Sequence, residues 1–243
     1  MPKTHPKVLI TAGPTHEPID SVRYIANRSS GRVGIEIARA ALRAGWDVTL
    51  ALGPTPLFSR AEQIPDSIGA TDSDTQSLHR RFRLIGFRTT EDLRAILSEM
   101  SPTADVLIMA AAVADYRPFP SGDAGAKLRR DPEGLTLHLE ATPDLLAECA
   151  TRRESSRSAR PGLIVAFALE PADGLLEAAQ AKLARKGADL IVANPLETMD
   201  ADSIRATLLA SEGVQAATDG EVNKADFGAW LIHELGKRLQ FRR

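Results

Sequence analysis

Residues 10–45, "ITAGPTHEPIDSVRYIANRSSGRVGIEIARAALRAG", decide the fold. The stretch begins inside a short apolar run, residues 8–11, that stops at Ala12, Gly13 and Pro14 as a buried parallel strand does. It ends in a helical pattern, with Val33, Ile37, Ala40, Ala41 and Ala44 on one face and Gly45 where a C-terminal cap belongs. A helix start leaves backbone N–H groups without partners and carries about half a positive charge, so Ser29, Ser30 and Gly31 can cradle a phosphate. Serine also caps helices where no ligand binds, and the turn alone supports both readings equally. The long connection from Thr11 to Asn27 favours a functional loop, because it leaves the C-terminal end of a first strand, where open α/β sheets bind ligands.

Further along, residues 48–52, 106–112, 163–167 and 190–193 have the same strand character. Helices are expected after Thr89, after Thr142 with Pro143 in the first turn, near Asp173, and after Asn223. This alternation predicts an α/β fold: a Rossmann-like, mostly parallel sheet flanked by helices, in a single domain over residues 1–243. Two segments break the rhythm. Residues 57–82 are polar and weakly periodic, which predicts a surface insertion. Residues 126–140 read as two extended stretches around an Asp-Pro-Glu-Gly turn, a projecting β-ribbon. The last segment carries Phe227, Leu231, Leu235 and Leu239 at i, i+4 intervals, as a closing helix would.

Composition narrows the function. The 243 residues are 43% apolar, enough for a full core, and 30 basic side chains nearly balance 32 acidic ones for a net charge of −2. Nucleic acid and anionic membranes call for a basic excess, so neither is the expected partner. The single cysteine, Cys149, cannot form an intramolecular disulfide, and its helical spacing from Leu145 and Leu146 makes it a core thiol. No segment approaches the roughly 18 apolar residues of a membrane span and the N-terminus lacks a signal run, so a cytoplasmic location is expected. No histidine or cysteine cluster has metal-ligand spacing, and the sequence identifies no metal ligands.

Cofactor reduction is disfavoured as well. The glycine-serine turn is neither G-x-G-x-x-G nor a P-loop, and "VTLALGPT" offers no acidic residue after the second strand. The Tyr-x-x-x-Lys pair of a hydroxy-dehydrogenase is absent, since Tyr24 is followed four on by Arg28 and Tyr116 by Pro120.

The block "ITAGPTHEPIDSVRYIANRSSGRVG" resembles the pattern ITAGxTxExxDxVRxIxNxSSGxxG of the phosphopantothenate-cysteine ligases of coenzyme A biosynthesis. Further blocks agree in order: "AAAVADYRP", "KLRR", "TPDLL", "VAFALE" and "KLARKGADLIVAN". The resemblance implies joining of 4'-phosphopantothenate to L-cysteine through an acyl-nucleotide, using CTP or ATP with Mg2+ and releasing pyrophosphate. It implies no flavin, a homodimer meeting through the ribbon, and a separate decarboxylase as a possible associate. Asn27 matches the catalytic asparagine and Lys127 the ribbon lysine that reaches the triphosphate. Gly13, Ser29, Ser30, Gly31, Ala110, Ala111, Ala112, Asp115, Phe167, Lys182 and Lys186 match nucleotide-binding positions.

Each residue also has a simpler reading. Asn27 suits a left-handed turn, Lys127 a solvated loop, Phe167 the end of a buried strand, and Lys182 with Lys186 an exposed helix face. Asp115, just past a strand, is better placed for ligand work on position alone. The chain departs from the family pattern at Arg129 and Arg130, at Pro171, at Pro195, and in "TMDADSIRATLL". The competing function is a nucleotide-binding module without catalysis, a partner or regulator of a separate decarboxylase; an NADPH-dependent reductase ranks behind both.

Overall fold

A computed structural model describes residues 5–119, 127–156, 160–199 and 201–240. Eight strands form the main sheet: β1 (Lys7–Ala12), β2 (Asp47–Leu52), β3 (Phe82–Gly86), β4 (Val106–Met109), β5 (Leu163–Glu170), β6 (Leu190–Pro195), β7 (Thr207–Ala210) and β8 (Gly213–Ala217). They lie in the order β8-β7-β6-β5-β4-β1-β2-β3. The first six are parallel; β7 and β8 are antiparallel, and their ladder shifts register between Leu208 and Leu209. The direction in which successive strands are added reverses between β1 and β4, and this switch point opens a crevice at the carboxyl ends of the strands.

Helices cover both faces: α1 (Arg32–Arg43), α2 (Phe58–Glu62), α3 (Asp72–Arg81), α4 (Thr90–Met100), α5 (Leu145–Ser155), α6 (Leu175–Lys186) and α7 (Lys224–Gln240). Alternate side chains of β1 divide between two cores. Val8, Ile10 and Ala12 pack with α1 and α7, whereas Leu9 packs with α4, α5 and α6. Phe227, Leu231 and Leu235 of α7 are fully buried, as their spacing predicts, and Leu239 packs partly against them. Gly45 takes a positive φ just after α1, in the expected place.

Several expectations shift. The run 106–112 is strand only to Met109, because Ala110, Ala111 and Ala112 leave the sheet to run beside the loop after β1. Pro143 stands outside α5, whose cap is the Asp144 side chain accepting from the Ala147 N–H. Residues 57–82 connect β2 to β3 through α2 and α3, and Ala61, Ile64 and Leu78 of this segment are buried in the core. The pairing differs from that expected over 126–140, of which residue 126 lies outside the described residues. Tyr116–Pro118 pairs with Leu139–Ala141, while 127–138 carries the turn closed by the Gly134 N–H on Asp131 O and no ladder among the described residues.

The first turn of α1 lies against the strand ends because two glycines permit it. A Cβ on Gly34 would fall 2.3 Å from that of Ala12, and one on Gly31, at φ 74°, would press on Gly13. Gly34→Ala improves helix propensity by roughly 1 kcal/mol but overpacks the contact, which costs about 1–3 kcal/mol. A net loss of up to about 2 kcal/mol is expected, read as a lower urea midpoint at unchanged slope.

Candidate functional site

The loop from β1 to α1 is pinned before it reaches the helix. Pro14 bridges to Ala112, the Ala112 N–H donates to Gly13 O at 2.9 Å, and Thr15 Oγ1 accepts from the Ala114 N–H at 3.0 Å. Thr11 Oγ1 accepts from the Ala111 N–H at 3.2 Å. Buried threonines thus tie the alanine turn after β4 to the glycine turn after β1. Buried Glu17 accepts from the Thr90 N–H at 2.8 Å and Thr90 Oγ1 at 2.6 Å, anchoring the same loop to the start of α4. The chain then forms a hairpin, His16–Pro18 with Tyr24–Ala26, and His16 stacks on Tyr24 at 3.8 Å.

Beyond this hairpin a cavity of about 890 Å³ opens at the carboxyl ends of the parallel strands. Asn27, Ser29, Ser30 and Gly31 line it from one side and Ala110, Ala111, Ala112 and Asp115 from another. Phe167, Lys182 and Lys186 close the third. Gly13 and Lys127 are not among the lining residues. Gly13 lies beneath Gly31 and gives the helix start room to approach, and Lys127 is exposed on the segment that follows the ribbon strand Tyr116–Pro118.

The α1 cap settles the choice between a serine cap and an open helix end. Gly31 is the N-cap in the left-handed region and makes no side-chain cap bond; the nearest contact is Arg32 N–H to Ser30 Oγ at a long 3.4 Å. Val33 and Gly34, whose N–H groups a helix leaves open, line the cavity. Asn27 Nδ2 donates to Val113 O at 2.9 Å, which fixes the plane of its amide. Phe167 satisfies both readings, packing edge-on to Phe227 at 6.4 Å while facing the cavity.

Charge in the cavity is already organised. Half-buried Lys182 has its pKa lowered, by burial first and then by Lys186, against the opposing pull of Glu170 and Asp115. Lys186 is ion-paired with Asp144 at the cap of α5. Arg32 pairs with Asp202, linking the start of α1 to the segment after β6. Sequence reasoning missed Lys224, which lines the cavity at 6% exposure, and Asn194, whose Nδ2 donates to Thr198 Oγ1 at 2.8 Å. Lys224 had one legible signal: a lysine in a first helical turn opposes the helix dipole. Cys149 is buried and its thiol is pushed up by that burial, as befits a core thiol.

Over residues 4–238 the chain matches the family described as DNA/pantothenate metabolism flavoprotein C-terminal domain. It belongs to that family. The Coenzyme A biosynthesis bifunctional protein CoaBC of Mycobacterium tuberculosis strain H37Rv is 39% identical over 218 residues, 87% of this chain and 47% of that protein. The chain therefore spans about half the length of the curated relatives it matches. Among solved structures, the DNA/pantothenate metabolism flavoprotein of Streptococcus pneumoniae superposes with a TM-score of 0.72 at 25% identity, covering 96% of this chain and 99% of that one. The C-terminal domain of a CoaBC protein superposes with a TM-score of 0.70 at 27% identity, covering 97% and 96%. The family's Rossmann-like sheet is the architecture found here.

Magnesium carried on a triphosphate needs only one or two protein carboxylates. Asp115, Asp144 and Glu170 line the cavity, and no metal-binding group of three or more His, Cys, Asp or Glu occurs among the described residues. These residues fit an ion delivered with phosphates, with no dedicated protein cage.

A lysine whose folded pKa lies below its unfolded value costs stability below the folded pKa, and the cost fades as pH rises to the unfolded value. Lys182→Met is therefore expected to keep or raise the urea midpoint at neutral pH while weakening pyrophosphate binding at least about tenfold. A lowered midpoint with unchanged binding would make Lys182 structural.

Proposed function

We propose that this domain is a phosphopantothenate-cysteine ligase, which activates the carboxylate of 4'-phosphopantothenate with CTP or ATP and transfers the acyl group to L-cysteine. One observation carries the reading: the open first turn of α1, the alanine turn after β4 and the half-buried Lys182 converge on one cavity at the switch point of the sheet. Family membership and the likeness to the C-terminal domain of CoaBC support it.

In the first step a substrate carboxylate oxygen attacks the α-phosphorus, the bond to the β-phosphate oxygen breaks, and pyrophosphate leaves. Val33 and Gly34 N–H groups with Lys182 hold the phosphates, and Lys186 joins them by exchanging Asp144 for a phosphate oxygen. Asp115 and Glu170 would hold a magnesium ion, which would supply positive charge to the phosphates. Phe167 packs on the sugar or base, and the small side chains of Ala110, Ala111 and Ala112 let a planar base lie against the backbone. In the second step the cysteine amine attacks the acyl carbonyl and the nucleoside monophosphate departs. One N–H of the Asn27 amide stays on Val113 O, so the other donates to the oxyanion as it forms.

The exposed apolar side chains of Val22, Tyr24, Tyr116, Phe119, Leu137 and Leu139 lie on the two ribbons and their flanks, which supports pairing with a second copy there. The product would be a substrate for a flavin-dependent decarboxylase, and an untethered Cys149 agrees with a reducing, cytoplasmic setting. Among the described residues no helix is long and apolar enough to cross a membrane. The Lys186–Asp144 pair and the place of Lys127 outside the lining favour a second reading, a nucleotide-binding module without turnover.

Pyrophosphate release with CTP or ATP, magnesium, phosphopantothenate and cysteine separates the two; binding without release means the module. Asn27→Asp is expected to abolish product formation while nucleotide binding stays within about twofold, and an equal loss of both would make Asn27 structural. Lys127→Gln is expected to slow acyl-nucleotide formation by about 10- to 100-fold, the worth of one charge-assisted contact. Unchanged formation would remove Lys127 from the mechanism.

A further inference from the structure

Asp20 is 6% exposed, and its carboxylate serves two purposes. Oδ1 accepts from the N–H groups of Val22 at 2.8 Å and Arg23 at 2.7 Å, which closes the tip of the first hairpin as aspartates do in tight turns. A turn needs nothing more. Yet Oδ2 accepts from Arg23 Nε at 3.0 Å, from Arg23 Nη2 at 2.6 Å and from the Leu128 N–H at 3.1 Å. Arg23 Nη2 donates in turn to Leu128 O at 2.6 Å. Both polar groups of one residue are thus gripped by an acid-base pair more than a hundred positions earlier, on the loop that leads into Asn27 and the start of α1. The gripped residue follows Lys127 directly.

We infer that Asp20, acting through Arg23, is a positioning residue that seats the segment carrying Lys127 at the edge of the candidate site. The inference rests on the proposed role of Lys127 in nucleotide activation. The grip is independent of solvent acidity over the working range. Partial burial alone would raise the carboxyl, but the hydrogen bonds from Val22, Arg23 and Leu128 outweigh it and hold the group well below the usual carboxylate range. A carboxylate depressed in this way contributes its stabilisation above the unfolded value, and that contribution is lost only as pH falls through the folded one.

Two variants of the full chain test the grip. Asp20→Asn removes the charge, and Leu128→Pro removes the donated N–H, fixing φ at that position, while leaving the hairpin turn intact. Each is expected to speed tryptic cleavage after Arg129 or Arg130 at least tenfold; Asp20→Asn also loses the carboxylate's stabilisation and lowers the global unfolding midpoint, whereas Leu128→Pro leaves the midpoint unchanged. Each should also lower the maximal rate of acyl-nucleotide formation at least tenfold without raising the nucleotide KM or slowing amide formation from preformed acyl-nucleotide. A merely structural aspartate would impair both half-reactions together. Native cleavage and native first-step rate in Leu128→Pro would overturn the inference while leaving the ligase reading intact. If the wild-type chain releases no pyrophosphate, the ligase reading fails, and the proteolysis comparison alone decides whether the grip exists.

Discussion

The site depends on one close contact, the first turn of α1 laid directly on the ends of β1 and β2. With hydrogen alone at Gly34 and Gly31, the helix axis reaches the backbone of Ala12 and Gly13. The unpaired N–H groups of the first turn then open at the sheet's switch point, and buried Thr11 and Thr15 hold the alanine turn alongside them. A side chain at either glycine would lift the helix and move its positive end away from the crevice. The local positive charge at the crevice therefore comes from backbone geometry, in a chain of nearly balanced charge.

The cavity's ionisable groups are balanced against one another. Lys182 faces Glu170 and Asp115, Lys186 holds Asp144, and Arg32 holds Asp202. Lys186 and Arg32 are ion-paired, and Lys182 lies in the field of two carboxylates. An incoming polyanion would exchange those partners for phosphate oxygens, so the lysines need not stand desolvated and alone before binding. The carboxylates set free are of the kind that accompany magnesium with a triphosphate.

Much of this was legible in the sequence, and the failures have physical causes. The period changes from strand to helix within residues 8–45, so β1, its long loop and α1 could be read directly, and the glycine-serine turn with them. The edge strand β3 was hidden because Phe82 follows Arg81, the last residue of α3, with no loop between them. The hairpin of β7 and β8 is short and rich in alanine, lacking the β-branched alternation that marks a strand. Residues 57–82 looked like surface because Ala61, Ile64 and Leu78 reach the core through helices too short or too polar to show a clear period. Asn27, Asp115, Phe167, Lys182 and Lys186 line one cavity. Lys224 and Asn194 arrive from distant elements and become neighbours of the site only through the tertiary fold.

The register shift between Leu208 and Leu209 bears on how this chain behaves beside copies of itself. β8 forms the outer margin of the sheet and leaves Val214 uncovered, and a flat margin of this kind would template a strand from a neighbouring molecule. A slipped ladder twists that margin and puts its hydrogen-bonding groups out of step with any straight incoming strand. The fold thereby keeps an open sheet edge yet makes it a poor seed for cross-β stacking.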